Sequence, residues 1–418
     1  MQAGAAGTAE SAAPSPDAKA GGLTTALGVG QICSWGTLYY SFPLIAEAMG
    51  AEFGWPKFHL YAAATLGLVL AALATYSVGV AVDRGHGRWV MGLSSLGAGI
   101  LLILWSQVDS LTSFYLLTAG VGLLQAATLY EPAFAVLARR VGAAQSRRAI
   151  TTLTLWGGFA STVFIPLIQW LMDHWGWRDT LIVLGLVNVL LCATAHLVFI
   201  RPERDCISTE PGAAFLQIDL DRAAVHEAVR RPVFWALLLA LTVYAAMFSA
   251  FTFHMYPMFI ERGMNTAAVV QAIALIGPAQ VAGRILISVF AARASMRVIG
   301  SVVVASFPVS FGALLWVDAA FWPVAAICVT YGAANGIFTI VRGLVVPEML
   351  TRHAYGAING LLTVPTNLAR AAAPLAAALL WSTTASYNSV LIGIIVSAIV
   401  LAASFWLAAW LRRKPGRL

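Results

Sequence analysis

The 418-residue chain is 60% hydrophobic and only 10% charged, with a mean hydropathy of +0.82. Soluble domains carry about a quarter charged residues, so a soluble enzyme or binding module is excluded. The net charge of +7 resides in loop arginines, which excludes a nucleic-acid-binding face. Four cysteines (Cys33, Cys192, Cys206, Cys328) are far apart, fit no zinc spacing and read as reduced thiols without clustering.

Residues 1–21 are rich in Ala, Gly, Ser and Pro, with no basic segment leading into an apolar one. They read as a disordered cytoplasmic tail, not a signal peptide. Twelve apolar runs follow, at 22–49, 57–82, 88–107, 111–139, 147–172, 178–200, 232–261, 266–292, 297–317, 320–350, 354–382 and 386–411. A membrane-crossing helix needs about 20 apolar residues, whereas a barrel would show short alternating segments. The expected fold is therefore an all-α membrane protein of twelve transmembrane helices. Residues 201–231 form a polar linker, with a short surface helix expected near Asp219–Arg230. Residues 412–418 are a basic tail.

Lysines and arginines set the orientation. With both termini inside, nineteen of the 25 lie on the inner side, and only Lys57, Arg178 and Arg262 lie outside. The remaining three, Arg284, Arg342 and Arg370, fall within apolar runs. The expected location is the inner membrane of a cell, with both termini cytoplasmic.

The halves repeat. Phe42-Pro43-Leu44-Ile45-Ala46-Glu47 ends the first run, and Tyr256-Pro257-Met258-Phe259-Ile260-Glu261 ends the seventh. Pro166 in the fifth run has its counterpart in Pro374 of the eleventh. Two six-helix bundles, 22–200 and 232–411, would place a substrate between them near the bilayer midplane.

Between the second and third runs stand Gly79, Asp83, Arg84, Gly87 and Arg88, and the spacing recurs, weakened, at Ser288, Ala292, Arg293 and Arg297. The run Gly79-Val80-Ala81-Val82-Asp83-Arg84-Gly85-His86-Gly87-Arg88 closely resembles the loop signature of the major facilitator superfamily of secondary transporters. The turn Asp173-His174-Trp175-Gly176-Trp177-Arg178 resembles that superfamily's loop between helices five and six. The resemblance covers about residues 22 to 411 and implies alternating access with no cofactor. No glycine-rich phosphate loop, zinc-protease motif or nucleophile elbow is present, which argues against an ATP-driven pump or an enzyme.

Charges buried in a membrane are costly and mark function by default. Three arginines (Arg284, Arg342, Arg370) face one carboxylate, Glu131, a balance that favours an anion. The arginine fork suits a carboxylate or phosphate. Arg284 on the eighth helix and Arg370 on the eleventh resemble the substrate-binding basic residues of the monocarboxylate porters and oxalate/formate antiporters. In the porters an aspartate precedes that arginine by one turn, where this chain has Gln280. They also carry a lysine late in the first helix, which is missing around Tyr39 to Pro43. The resemblance therefore does not extend to proton coupling through those positions.

Glu131 on the fourth helix and Arg342 on the tenth lie about 13 Å from the inner end. They are candidates for an ion pair that forms in one state and parts in another, for a static buried pair, or for a proton site at Glu131. Gln31, Trp35 and Tyr39 recur every four residues on the first helix. Tyr244, Phe248, Phe251 and Met255 make a stripe on the seventh, with His254 beside it. These stripes read either as packing or as walls of a binding cavity. Asp83, Arg84 and Arg88 are expected to bridge inner helix ends to the arginines of the fourth helix and to stabilise an outward-facing state.

The expected substrate is a small organic anion, a mono- or dicarboxylate by the arginine set. It is carried with protons or against a counter-anion by a monomer in the lipid bilayer. An efflux permease for amphipathic drugs or a metalloid is the alternative.

Overall fold

The computed structural model describes residues 16–205, 225–290, 294–350 and 355–412, and each of the twelve apolar runs coincides with helix. Among the described residues, eight helical stretches are long and apolar enough to cross a membrane. Two of these, Lys57–Trp105 and Ala149–Phe199, are 49 and 51 residues long, well beyond the bilayer's reach. Each turns back on itself at a glycine with positive φ: Gly85 (88°) and Gly176 (77°). A side chain is strained in that conformation, so glycine within Asp83–Arg88 and Trp175–Arg178 makes the tight hairpins possible. Of the expected linker helix, residues 225–230 are helical, and residues 219–224 lie outside the described residues. The same holds for Cys206, Arg293 and most of both expected tails.

Within the first half, the second helix (Lys57–Ala81) packs on the fourth, and the third (Gly87–Trp105) packs on the fourth and sixth. Close approach is allowed by paired glycines. A Cβ on Gly122 would collide with the Gly67 backbone, and one on Gly99 would lie 2.6 Å from the Gly185 carbonyl oxygen. In the second half the seventh helix (Pro232–Glu261) packs on the eleventh (Tyr355–Thr384) and twelfth (Tyr387–Leu411). The eighth (Thr266–Ala274 and Ile276–Phe290) lies against the tenth (Phe321–Met349), where a Cβ on Gly336 would collide with the Gln280 carbonyl. Small residues at backbone-to-backbone crossings are the usual means of helix association in lipid.

Several runs are interrupted. The first helix passes from Pro16–Ser34 through a wide π turn, Trp35–Tyr40, to Ser41–Phe53. The fourth, expected as one run, is broken: Leu111–Thr128 and Tyr130–Val141 meet at Leu129, whose backbone is extended. The cause is Pro132, which has no N–H to give the Thr128 carbonyl. Gln31 supplies the missing donor, its Nε2 bonding the carbonyl oxygens of Thr128 (2.9 Å) and Leu129 (3.3 Å).

The two halves meet at the outer end, the end with few loop arginines. The second helix lies against the eleventh, the fifth (Ala143–Gly157, then Ala160 onward) against the eighth, and the first against the seventh. Tyr61 donates to the Phe253 carbonyl (3.1 Å), Tyr256 to Gln169 (3.1 Å) and Thr162 to the Ala274 carbonyl (2.9 Å).

A matching clasp closes the outer end of each half. Glu52 accepts the Trp177 indole N–H (2.6 Å) and pairs with Arg178 (2.7 Å), tying the first helix to the turn after the fifth. Glu261 accepts the Trp381 indole N–H (2.7 Å) and the Tyr387 amide (2.8 Å), tying the seventh to the turn after the eleventh. The sequence repeat aligns Glu261 with Glu47, but Glu52 is the residue that shares its role.

Candidate functional site

The middle of the molecule, between the halves, is where the intramembrane charges converge. The Tyr244 ring lies within electrostatic reach of Arg284, Arg342 and Arg370 together. Tyr130 lies within reach of Arg284, Arg342 and Glu131, Tyr39 within reach of Arg370, and Tyr40 within reach of Arg284. Tyr331 neighbours Tyr244, Tyr40 and Tyr39. Five phenols and three guanidinium groups thus surround one region.

Arg284 is 4% exposed. Its Nη1 donates to the Thr154 carbonyl on the fifth helix and its Nε to the Gly336 carbonyl on the tenth (3.3 Å). Backbone carbonyls therefore hold part of the guanidinium, and the side chain bridges the two halves. Two helix features leave room for this. The fifth helix opens at Gly157–Gly158, where a Cβ on Gly158 would sit 3.5 Å from Arg284 Nη1, and the Gly283 and Gly336 contacts seat the eighth helix on the tenth. Arg370 is half-buried, and its Nε meets no acceptor among the described residues.

Aromatic walls surround these cations. Trp35 packs on Tyr39 (5.1 Å) and on Tyr130 (5.2 Å), and Tyr130 stacks on Phe134 (5.1 Å). Phe248, Met255, Thr252, Gln280, Tyr331, Tyr40, Ser161 and Ile276 line a narrow pocket in the same region. Tyr244 donates its hydroxyl to Asn335. The buried Trp35 Nε1, Tyr39 OH and Tyr331 OH have no hydrogen-bond partner among the described residues. Tyr39 OH lies beside Ser249 and Tyr331 OH beside Thr252, without bonding geometry to either.

Of the residues expected to touch substrate, the structure gathers Arg284, Arg370, Trp35, Tyr39, Tyr244 and Gln280 here. Two are placed elsewhere. Gln31 is 0% exposed and spends its amide on the broken fourth helix. His254 sits further out, with both ring nitrogens bonded within the protein. Phe251 packs into the second half, against Phe311 (4.9 Å) and Tyr331 (4.8 Å).

Sequence reasoning missed Tyr40, Tyr130 and Tyr331. The Gln31, Trp35, Tyr39 stripe assumes an unbroken α-helix, but the π turn adds a residue to the winding and brings Tyr40 to the cavity as well. Tyr130 flanks the Pro132 break, a signal that was available.

Glu131 is exposed, and no ion pair joins it to Arg342 among the described residues. Asp83 and Arg84 are exposed, and Arg88 lies over Trp89 (5.4 Å). Arg139 does reach the signature loop, but through the Asp83 carbonyl and not its carboxylate. The carboxylate that holds Arg139 (3.0 Å) and Arg140 (3.4 Å) is Asp205, at the start of the linker. Arg140 also donates to the Arg201 carbonyl. These contacts lie within the first half. Cysteine placement also departs from expectation: Cys33 and Cys192 are neighbours across the first and sixth helices, with Cys192 Sγ 3.8 Å from Ser34 Oγ.

A helical bundle with cations and phenols gathered between two like halves has the form of a membrane transporter and not of an enzyme. The chain belongs to the Major Facilitator Superfamily, whose profile matches residues 27–374. It is 29% identical over 199 residues to monocarboxylate transporter 13 of Rattus norvegicus, covering 46% of this chain and 43% of that protein. It is 30% identical over 170 residues to the multidrug resistance protein MdtG of Escherichia fergusonii, covering 40% of each. The matched stretch thus spans less than half the length of either relative. Among solved structures it shares the fold of a bacterial homolog of the human lysosomal transporter Spinster in an inward-facing, unoccupied conformation, with a TM-score of 0.66 at 16% identity over 98% of this chain and 100% of that one. It also shares the fold of the nucleoside transporter NupG, with a TM-score of 0.66 at 15% identity over 93% of this chain and 98% of that one.

Proposed function

We propose that this protein is a secondary transporter that moves a small organic anion, a mono- or dicarboxylate, by alternating access between two rocking six-helix halves. Supporting this reading most directly is the convergence of Arg284, Arg342 and Arg370 on Tyr244. Buried donors at Trp35, Tyr39, Tyr331 and Arg370 in the same region lack acceptors among the described residues. An unsatisfied buried donor is costly, and a bound oxyanion would satisfy several at once. The aromatic walls fit an organic body better than inorganic phosphate, and the likeness to a protein named as a monocarboxylate transporter agrees.

The outer end is closed while Glu131 is exposed, which supports an inward-facing state. The arginine excess in the loops supports a cytoplasmic placement of both termini in an inner membrane. In the outward-facing state, inner ends would close and bring Glu131 toward Arg342. Carriage with protons or by anion exchange fits the site equally well, and the transporting unit is a monomer. The likeness to MdtG favours efflux of amphipathic drugs as the second reading. The thiol pair Cys33–Cys192 gives a soft metalloid only two ligands, away from the arginines.

The test is uptake into proteoliposomes against a panel of labelled mono- and dicarboxylates, with and without a pH gradient, for wild type and Arg284→Gln. Saturable uptake of an acid, lost in the variant, supports the anion reading. Drug transport that survives Arg284→Gln, without carboxylate uptake, moves efflux to first place.

A further inference from the structure

Outside the arginine site, the seventh helix carries an imidazole at the seam between the halves. His254 is 0% exposed, seven residues before Glu261 at the helix end, or about 10 Å at 1.5 Å per residue. Tyr61 of the second helix stacks on its ring, with centroids 4.0 Å apart. Its Nε2 lies 2.9 Å from the Pro374 carbonyl oxygen on the eleventh helix, and its Nδ1 lies 3.2 Å from the Tyr387 hydroxyl at the start of the twelfth.

The Pro374 carbonyl fixes one of the two ring positions. A carbonyl can only accept, so Nε2 carries hydrogen. The neutral ring then leaves Nδ1 as the acceptor of the Tyr387 O–H. That hydroxyl oxygen accepts in turn from Lys57 Nζ at 3.4 Å, and the ammonium lies over the rings of Trp381 (4.6 Å) and Tyr387 (4.9 Å). Lys57 belongs to the first half, and Tyr387 and Trp381 belong to the second. The chain Lys57–Tyr387–His254–Pro374 therefore crosses the closed outer seam with every donor pointed the same way.

A proton on Nδ1 breaks this order. The imidazolium has no use for the Tyr387 hydrogen, and Tyr387 would have to accept from both Nδ1 and Lys57 with its own hydrogen turned elsewhere. The surroundings offer poor compensation. On the second helix the nearest charge is Lys57 itself; on the eleventh, Arg370 stands one turn inward of Pro374; the twelfth presents only the Tyr387 phenol. Of the carboxylates, Glu47 on the first helix is engaged with Lys57 (3.5 Å), and Glu261 on the seventh is engaged with Trp381 and the Tyr387 amide. The eighth helix presents no charge until Arg284.

We propose that His254 is a proton-binding site that operates the outer gate: a proton taken from outer water onto Nδ1 is compatible with the open seam and is expelled as the seam closes. The only bond lost on loading is the Tyr387 O–H to Nδ1 hydrogen bond, and the proton is returned to the same water on closure. This deepens the transport reading, on which it rests, by naming one ion that the gate responds to. Its test uses no substrate, so failure of the anion assay and failure of this proposal are separate results.

The experiment is double electron–electron resonance on the full chain in lipid nanodiscs. Spin labels are placed at Phe58→Cys on the second helix and Thr383→Cys on the eleventh, with the four native cysteines replaced by alanine. Distances are recorded from pH 8 to pH 5. A short distance at pH 8 that gives way to a longer population in acid is expected, and in His254→Gln the short distance should persist throughout. Lys57→Gln removes the charge that makes a proton on the closed-seam ring unfavourable, so acid drives opening less and the midpoint should move down by about one pH unit. Tyr387→Phe removes the bond that favours the neutral ring in the closed seam and should move it in the opposite direction while leaving the imidazole in place. A distance that ignores pH in the wild type, or the same midpoint in His254→Gln as in the wild type, would overturn the assignment. So would a midpoint unmoved by both Lys57→Gln and Tyr387→Phe.

Discussion

Gln31 shows how a polar side chain in a membrane can serve the backbone instead of the substrate. Its Nε2 replaces the hydrogen bond that Pro132 cannot make, at a point where lipid offers no water as substitute. Replacing Gln31 with Leu leaves the Thr128 and Leu129 carbonyls without it, at a cost of about 1–3 kcal/mol. A lowered melting temperature in detergent, with substrate affinity unchanged in the folded fraction, is the expected result. Arg284 is the contrasting case: its bonds to Thr154 and Gly336 span the halves, so Arg284→Gln removes a bridge together with the proposed anion contact. Loss of one charge-assisted bond corresponds to about a 10- to 100-fold loss of carboxylate affinity, measurable by isothermal titration in detergent. Asp83, exposed and joined to Arg139 only through its carbonyl, leads to a milder expectation. Asp83→Asn should slow transport while leaving substrate binding largely intact, and equal loss of binding in a direct assay would contradict that.

The helix crossings rest on backbone contact. Gly67 and Gly122 bring the second and fourth helices together so closely that neither tolerates a side chain. Gly122→Val forces a Cβ into the opposing backbone, and the overpacking should cost about 1–3 kcal/mol or more. Gly79, despite its place in the loop signature, has open space where a Cβ would sit, with nothing within 4 Å, so Gly79→Ala should be neutral in the same thermal assay. The breaks at Leu129 and Gly157–Gly158 and the π turn at Trp35–Tyr40 all border the central cavity. Polar groups freed at such departures must find partners in protein or in a cavity, because lipid offers none.

For the whole molecule, the two halves meet at the outer end. The Glu52 clasp there is sensitive to acid. The Trp177 indole N–H, and then the Arg178 guanidinium, hold the Glu52 carboxyl below its usual range. A depressed carboxyl contributes stability above its unfolded value and loses it as pH falls through the folded value. Glu52→Gln should therefore melt lower than wild type at pH 7 and still at pH 5, the two curves converging only below about pH 4. Thermal unfolding across that range checks the sign. The gate at Lys57, Tyr387 and His254 should respond at milder pH, so opening and unfolding separate along the acid axis.

The sequence alone determined the helical membrane class, the positions of the apolar runs and the arginine bias, because lipid imposes length and polarity on each segment independently of its neighbours. It also named Arg284, Arg370, Trp35, Tyr39 and Tyr244, since buried charges and aromatic stripes are conspicuous in an apolar chain. Tertiary structure decided where each polar group finds its partner. Gln31 turned to a broken helix, His254 to the outer seam, Arg139 and Arg140 to Asp205, and Cys33 to Cys192. Those pairings join residues far apart in the chain, 133 positions in the case of His254 and Tyr387, and helical periodicity carries no information over such distances. It also fails at a π turn or a proline break, where one residue of altered winding re-aims every side chain beyond it.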